Sequence, residues 1–219
     1  MKHLLHIVLI FGYYNFYAQN YSVKYQAFPP KIEKTDNNLV NKVYQDQKEL
    51  FFYLDFSSQQ SKFYRKNDLK LSDLDNAFFE LNLLLVHYKE VYTNINTPKM
   101  FIADKGYILT EHKAEEDWTL TEESKTVEGY LLYKATKAIT YTTRADQERT
   151  RTVTAWYCPS IPFPYGPNGH FGLPGLIFEV QDLDVLYALK TITEVDNVEI
   201  VVPNKEKVTI EEYINKFKN

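Results

Sequence analysis

The sequence has a single cysteine, no long apolar segment beyond its N-terminus and no excess of positive charge. Each of these absences excludes a structural feature or a class of function. One cysteine among 219 residues excludes an intramolecular disulfide, so a hydrophobic core must supply the stability, as it does in domains of about this size. Beyond the N-terminus no run of about 18 consecutive apolar residues is found, which excludes a second membrane-spanning helix. The 25 basic residues do not outnumber the 29 acidic ones, and no basic patch predicts nucleic-acid binding.

Residues 1–19 resemble a secretory signal peptide. Residues 2–11, KHLLHIVLIF, consist of a charged start followed by an apolar run, and the small residue Ala18 lies near the end of the segment. The run is shorter than the roughly 20 residues that a membrane-spanning helix needs, so we predict cleavage at the end of this segment, with a mature N-terminus at Gln19 or Asn20. The alternative is an amphipathic N-terminus that is not cleaved. Cleavage leaves residues 20–219 as a single domain with a net charge of −5, without a cysteine that could carry a lipid anchor.

Short runs of alternating apolar and polar residues dominate the rest of the chain and predict β-strands. The abundance of aromatic residues, with 18 Tyr, 14 Phe and 2 Trp, is typical of a β-rich core. A polar turn at residues 57–60 predicts a hairpin between the second and third strands. The predicted strands cover residues 21–27, 49–56, 61–65, 99–104, 106–112, 127–139, 151–158, 175–180, 185–195 and 198–202.

Two segments have helical periodicity. Apolar residues at i, i+4 and i+7 predict a helix over residues 73–90 capped by Ser72, although its later part, residues 83–92, is also compatible with a strand. Near the C-terminus, Thr209 and Glu212 fit a capping box. The helix that they begin has one apolar face, which is expected to dock on the domain. That face consists of Ile210, Tyr213, Ile214 and Phe217.

These elements predict a mainly β, α+β fold. Consecutive strands joined by short turns favour an antiparallel meander, and nine or ten strands do not stay flat. We therefore expect a curved antiparallel sheet or half-barrel, with one or two helices covering its concave face. A two-sheet β-sandwich is the alternative.

Residues 159–175 contain five of the nine prolines and four of the seven glycines. The prolines keep this connector extended and remove amide donors, while Pro174-Gly175 suits a type II turn. We interpret the segment as a stiff corner between strands 151–158 and 175–180, held on the core by aromatic residues. A glycine-rich phosphate loop would require a helix next, whereas a strand pattern follows. The candidate aromatic anchors are Phe163, Tyr165 and Phe171.

An ordered series of motifs spans residues 117–180 and ends on the hexapeptide GLPGLI at residues 172–177. The series resembles that of the GLPGLI family, exported proteins of Bacteroidota without an assigned activity. Cys158 stands where the family often has threonine. The resemblance implies export to the periplasm or outer membrane and an antiparallel β domain, and it implies no catalytic residue. The motif residues are Trp118, Gly129, Tyr130, Trp156, Tyr157, Pro162, Gly166, Pro167, Gly172, Leu173, Pro174, Gly175, Leu176 and Ile177.

The residues offer three kinds of reactive site, and the sequence predicts none of them. Cys158 could act as a nucleophile with His170 or His112 as its base, but no hydrolase signature surrounds it and a packed apolar thiol explains it better. The histidines of the domain lack the spacing of metal ligands. Carboxylates near turns are ordinarily solvated. The candidate metal ligands are His87, His112 and His170 with Glu111 or Cys158, and the candidates for acid catalysis are Glu115, Glu116, Asp117, Glu122 and Glu123.

The two tryptophans form either a recognition surface or core plugs. Trp156 alternates with Val153, Ala155 and Tyr157, so it lies on the opposite face of its strand, and we expect the connector to bury it. The first hypothesis for function is a non-catalytic envelope protein that binds or carries an apolar or amphipathic ligand on its concave face. A structural subunit of an outer-membrane complex is the second and a hydrolase the third. No cofactor is predicted.

Overall fold

The structure, a computed structural model, describes residues 19–30, 41, 50–66, 73–97, 99–112, 118–142 and 147–216. Two helices lie in this part of the chain, α1 (Asp73–Leu85) and α2 (Ile210–Lys216). Its strands are β1 (Asn20–Phe28), β2 (Phe51–Phe56), β3 (Gln60–Tyr64), β4 (Glu90–Asn94), β5 (Lys99–Asp104), β6 (Tyr107–His112), β7 (Thr119–Val127), β8 (Tyr130–Thr142), β9 (Glu148–Cys158), β10 (Leu176–Asp182), β11 (Val185–Val195) and β12 (Glu206–Thr209).

All these strands belong to one sheet with the order β12-β6-β5-β4-β3-β2-β1-β11-β10-β9-β8-β7. Two antiparallel meanders, β1 to β6 and β7 to β11, are joined where β1 pairs antiparallel with β11. The sheet is curved and, within the described residues, open, which confirms the predicted fold class. It is mixed because β12 pairs parallel with β6. No described helix has the length and apolarity to cross a bilayer.

One face of the sheet, here called the inner face, carries most of the core. Alternation along each strand points every second side chain to this face, and aromatic rings pack across it. Phe52 lies 5.6 Å from Phe63 and 5.6 Å from Tyr187, between ring centroids. The buried side chains of this face include Val23, Tyr25, Phe52, Leu54, Phe56, Phe63, Val91, Ala155, Val180 and Tyr187.

The C-terminal end of α1 covers part of the inner face. Leu83 and Val86 are buried, and the Tyr187 hydroxyl donates a hydrogen bond to the Val86 carbonyl at 2.9 Å. The helix ends in a Schellman motif, with His87 at φ 51° and the Tyr88 amide bonded to the Leu83 carbonyl. The predicted helix over residues 73–90 is therefore too long, and β4 follows it.

The predicted strand over residues 127–139 combines parts of two strands. Glu128 and Gly129 form the β7–β8 turn with φ values of 49° and 86°. The polar sequence TLTEESKTV of β7 has no apolar alternation, because this strand is the edge of the sheet and most of its side chains are exposed. The pattern therefore did not predict it.

The predicted strand over residues 198–202 is not part of the sheet. Its residues alternate between half-buried and exposed, but the last strand is β12, which was not predicted. The capping box at Thr209 and Glu212 is confirmed by reciprocal hydrogen bonds of 2.8 and 3.2 Å.

The predicted docking of α2 is only partly correct. Tyr213 packs 5.8 Å from the ring of Tyr107 and donates a hydrogen bond to Asp104. Ile210 and Ile214 remain 37% and 45% exposed. Phe217 lies outside the described residues.

Candidate functional site

The connector, residues 159–175, is tied to the start of β10 by backbone hydrogen bonds. The Leu176 amide donates to the Ile161 carbonyl, and the Ile177 amide donates to the Tyr165 carbonyl, both at 2.9 Å. A third bond of 2.9 Å joins the Gly172 amide to the Pro164 carbonyl within the connector. The segment is thus a hydrogen-bonded corner between β9 and β10, as its prolines and glycines predict.

Aromatic side chains hold the connector on the inner face. Tyr165 is buried with its ring 5.4 Å from Phe56, and Phe163 lies 5.1 Å from the same ring. Trp118 donates a hydrogen bond from Nε1 to the Phe171 carbonyl at 2.9 Å. Two of the three predicted anchors therefore act through their rings, and Phe171 contributes its backbone carbonyl.

The middle of the connector reaches the opposite half of the sheet through a single 3₁₀ turn, Pro167–Gly169. Asn168, at φ 53°, accepts a hydrogen bond from the Lys89 amide and donates one to the His87 carbonyl, at 2.9 and 3.0 Å. The connector therefore links β9 and β10 to the segment before β4. It acts as a cover across the inner face, a role that its local sequence did not reveal.

Two glycines of the connector are required by close packing. A Cβ atom on Gly166 would lie 2.7 Å from Ile177 Cδ1 and 2.9 Å from the His170 carbonyl oxygen. A Cβ atom on Gly175, at φ 156°, would overlap the Cys158 carbonyl and lie 2.9 Å from Pro159 Cα. These contacts leave no room for a side chain.

The positive φ of Gly175 agrees with the sequence prediction, but the predicted type II turn is wrong. Such a turn needs φ near +80° at this position, whereas Gly175 has φ 156°. Its amide bonds to the Leu173 carbonyl, and the Leu176 amide bonds to Ile161 rather than closing the turn. Within the hexapeptide, Leu173, Leu176 and Ile177 are buried while Gly172 and Pro174 are exposed.

The connector fills the inner face and leaves little space beneath it. The hollow between Tyr165, Phe63 and Val91 has a volume of about 10 Å³, which is close to the space of one water molecule. This hollow is therefore too small for the apolar ligand that was expected on the aromatic-rich inner face.

His170 is a buried histidine on the connector, 8% exposed. Its Nε2 lies 3.7 Å from Asp182 Oδ2, but both oxygens of Asp182 accept hydrogen bonds from Arg151, at 2.6 and 3.1 Å. Burial holds the pKa of His170 well below its ordinary value of 6.5, and the charges of Lys137, Lys89 and Arg151 lower it further. His170 is therefore neutral in the folded protein.

We expect this neutral histidine to make stability depend on pH. The unfolded chain binds a proton on His170 near pH 6.5 and the folded protein does not, so this stability is present above pH 6.5 and lost below it. One proton contributes a slope of at most about 1.4 kcal/mol per pH unit. Urea unfolding at pH 7.5 and 5.5 should show a smaller loss in His170→Gln than in the wild type. The exposed His87→Gln is the control, and equal losses in all three proteins would contradict this.

Cys158 is fully buried, and Ser160 is its hydrogen-bonding neighbour among the described residues, with 3.0 Å between Sγ and Oγ. No described histidine or carboxylate shares a hydrogen bond with it, and the side chain of His112 lies outside the described part. The geometry is that of a packed thiol at the end of a strand.

Cys158→Ser is expected to leave the fold and the biological phenotype nearly unchanged. The substitution places a hydroxyl where an apolar thiol packs, at a cost of at most about 2 kcal/mol. Thermal unfolding and a growth phenotype of the producing organism measure the two effects separately. Loss of the phenotype at an unchanged melting temperature would instead support a nucleophile or metal ligand.

The other candidate residues for chemistry do not converge where they are described. No group of three or more His, Cys, Asp or Glu side chains is placed to hold a metal ion within that part of the chain. Glu123 forms an ion pair with Lys134 at 2.7 Å. The acidic residues Glu115, Glu116 and Asp117 lie outside the described residues, as does the side chain of Glu111.

Trp156 lies on the face opposite to the inner face, here called the outer face, as its alternation predicts. It is half-buried beneath the Lys125 ammonium group, 4.4 Å from the ring centroid, and Lys125 also pairs with Glu179 at 2.6 Å. The prediction that the connector buries Trp156 is wrong, because the connector packs on the inner face. Tyr130 and Tyr157 pack in the sheet, against Phe178 and Tyr133 respectively.

A groove on the outer face was not predicted from the sequence. Its volume is about 180 Å³, and it lies between the sheet and residues 197–202, here called the strap. Tyr92 and Phe101 line its floor, and Ile200 and Val202 line it from the strap. These residues come from segments that are about 100 positions apart, so no local pattern could have revealed the groove.

Solved structures share this fold. Two crystal forms of PNGF-II match with 12% identity and a TM-score of 0.56, over 90% of this chain and 32% or 33% of that chain. The chain thus spans about a third of the length of PNGF-II, and the likeness concerns the fold alone. LprF from Mycobacterium bovis matches with 10% identity and a TM-score of 0.27, over 85% of this chain and 90% of that one.

The family comparison concerns the region of the connector. A family model described as a protein of unknown function (Porph_ging) matches residues 140–179, from the end of β8 to β10. It overlaps the second part of the motif series and is compatible with the GLPGLI resemblance, and it names no function. No curated protein matches the chain.

Proposed function

We propose that the chain is an exported, non-catalytic binding protein of the cell envelope, and that its ligand is apolar or amphipathic. The outer groove carries this proposal, because concave sites with apolar walls and a few polar groups are typical of ligand binding. The floor of the groove is aromatic and its roof is aliphatic, and polar side chains line one end: Gln60, Asn94 and Thr97. We therefore place the proposed binding site on the outer face, and not on the inner face that the sequence led us to expect.

The size of the groove limits the ligand. A dry apolar cavity of about 150 Å³ is large enough to bind benzene, so a groove of about 180 Å³ accepts one ring or a short alkyl chain. Ligand sites for drug-sized molecules begin near 300 Å³. The bound molecule therefore inserts a short apolar group and leaves its remainder in solvent.

We also propose that the chain is a member of the GLPGLI family. The motif series from Trp118 to Ile177 supports it, and so does the match of the Porph_ging model over residues 140–179. The buried positions of Leu173, Gly175 and Leu176 give the hexapeptide a structural role. A structural role for the hexapeptide agrees with a binding protein that has no catalytic residues there.

Export is expected to remove residues 1–18 or 1–19. The signal-like segment ends at Ala18, and β1 begins at Asn20, so cleavage there removes no described strand. N-terminal sequencing of protein isolated from the cell envelope should therefore begin at Gln19 or Asn20. An intact Met1 on the envelope protein would contradict the predicted cleavage.

Native mass spectrometry of protein purified from its own envelope tests the binding function. A bound small molecule, released by denaturation, is the expected result. Protein that carries neither a small molecule nor a partner under gentle isolation would contradict the proposal.

A second candidate, a structural subunit of a membrane complex, is favoured by exposed apolar residues near the β7 edge. Leu120 and Leu131 are 53% and 49% exposed, and an edge strand is suited to pairing with another chain. In the same mass spectra, this candidate predicts a stoichiometric protein partner in place of a small molecule.

A further inference from the structure

The strap forms the roof of the outer groove and lines it with the apolar side chains of Ile200 and Val202. Val198, Ile200 and Val202 are half-buried, whereas Glu199 and Val201 are exposed. No backbone hydrogen bond joins the strap to another described residue. Because the strap is extended and has no backbone hydrogen bonds to the sheet, it can shift outward without breaking strand pairing. A ligand can then enter beneath it.

The floor of the groove has an apolar end and a polar end. Tyr92 of β4 pairs in register with Phe101 of β5, and Val202 lines the same hollow. Gln60, Asn94 and Thr97 line the groove beside the β4–β5 turn. A ligand that matches this floor has an apolar portion and a polar head.

Two lysines lie beside the groove on the outer face of the sheet. The Lys207 ammonium group lies 5.2 Å from the centroid of the Phe101 ring. Lys99 precedes Phe101 by two residues on the same face of β5, and its carbonyl oxygen lies 3.4 Å from Thr97 Oγ1. Neither lysine has a carboxylate partner among the described residues, whereas Lys62 on the same face pairs with Glu90 at 3.7 Å.

We propose that the outer groove binds an amphipathic anion. A short alkyl or aryl group lies between Tyr92, Phe101 and Val202, and a carboxylate or phosphate head is bound by Lys99 and Lys207. This site rests on the proposed binding function and specifies its ligand class.

The charge arrangement selects the anion over other amphipathic molecules. Ammonium groups attract an anionic head and repel a cationic one, and this preference weakens as salt screens the charges. A neutral head lacks this attraction. The apolar contact is common to all three classes, so the head alone decides their order of affinity.

Calorimetric titration of the mature wild-type protein with four eight-carbon probes tests this order. Octanoate and octyl phosphate should bind with Kd of about 1–10 mM, given the modest energy available to ten or so heavy atoms. Octanol should bind more weakly and octylammonium most weakly. The ranking of octanoate against octyl phosphate identifies the preferred head. Equal binding of octylammonium and the anions would overturn the proposal.

Substitutions in the strap test whether octanoate binds in the outer groove. Val202→Trp fills the groove and should weaken octanoate at least about tenfold, because the apolar group loses its space. The matched control is Val201→Trp, at a strap position that is 64% exposed, and its affinity should equal the wild type. Octanoate binding that survives Val202→Trp would overturn the assignment of the groove.

Substitution of the two lysines gives a second test, which does not depend on whether Val202→Trp disturbs the folding of the strap. Lys99→Gln with Lys207→Gln should weaken octanoate roughly fivefold, as expected for exposed ion pairs, and leave octanol unchanged. Lys190→Gln, at an exposed position on β11, is the control. An unchanged octanoate affinity in the double variant would contradict the role of the two lysines.

Native mass spectrometry of Val202→Trp separates this proposal from the binding function itself. If the variant retains the ligand found on the wild type, the groove assignment fails and the binding function stands. If the wild type carries no ligand and binds none of the probes, both fail. Loss of the ligand in Val202→Trp, with retention in Val201→Trp, supports both.

Discussion

Gly175→Val is expected to lower the free energy of unfolding by about 3 kcal/mol or more, through overpacking and backbone strain of about 1–3 kcal/mol each. The valine Cβ would overlap the Cys158 carbonyl and lie 2.6 Å from the Cys158 carbonyl carbon, both of which are backbone atoms. Neither can move without displacing the end of β9. For a domain of this size, the melting temperature should fall by roughly 6–12 °C.

Gly129→Ala is the matched control for this substitution. Gly129 also has a positive φ, 86°, but no atom lies within 4 Å of an added Cβ. Gly129→Ala should therefore lower the free energy of unfolding by only about 1 kcal/mol, the cost of a left-handed backbone conformation for a residue other than glycine. If Gly175→Val unfolds at the wild-type temperature, the close approach of the connector to β9 is wrong. If it loses octanoate binding while its stability is unchanged, the connector is a functional loop.

Tyr165→Ala is expected to cost about 3–5 kcal/mol, the range for removing a large aromatic side chain from a core. Tyr165 is 1% exposed and packs on Phe56 at the centre of the connector. Its loss leaves a cavity between the connector and the inner face. Urea unfolding followed by circular dichroism measures the difference directly.

Tyr165→Phe is the control, because it keeps the ring and removes only the hydroxyl. That hydroxyl is buried and has no hydrogen-bond partner among the described residues, and burial raises the pKa of Tyr165. Removing an unsatisfied polar group is nearly neutral or stabilising, so the variant should be at least as stable as the wild type. A loss of 2 kcal/mol or more, on the order of a buried unsatisfied group, would mean that the hydroxyl has a partner.

Alternation in the sequence predicted the central strands well because each of them buries one face. The predicted bounds of residues 99–104 and 185–195 coincide with β5 and β11. The pattern failed at β7, an exposed edge, and at β12, which has one buried residue, Val208. It also predicted a strand at the strap, because Val198, Ile200 and Val202 face the sheet without pairing to it.

Local chemistry predicted the connector as a corner, but its place in the molecule depends on distant contacts. Its prolines and glycines indicated a stiff turn between β9 and β10, which the structure confirms. The bonds of Asn168 to His87 and Lys89 span about 80 positions, and no local pattern contains that information. The same holds for the groove, since Tyr92 meets Val202 only when the strap crosses the sheet.

The central claim is that the connector is a rigid structural cover of the inner face, and amide hydrogen exchange tests it most directly. The Gly172 amide donates to the Pro164 carbonyl within the connector, and the Ile177 amide, at the start of β10, donates to the Tyr165 carbonyl of the connector. The account predicts that both exchange as slowly as amides in the middle of β9 and β10, because they open only when the core unfolds. Exchange of these two amides at the rate of an exposed loop, while β9 and the rest of β10 stay protected, would contradict it.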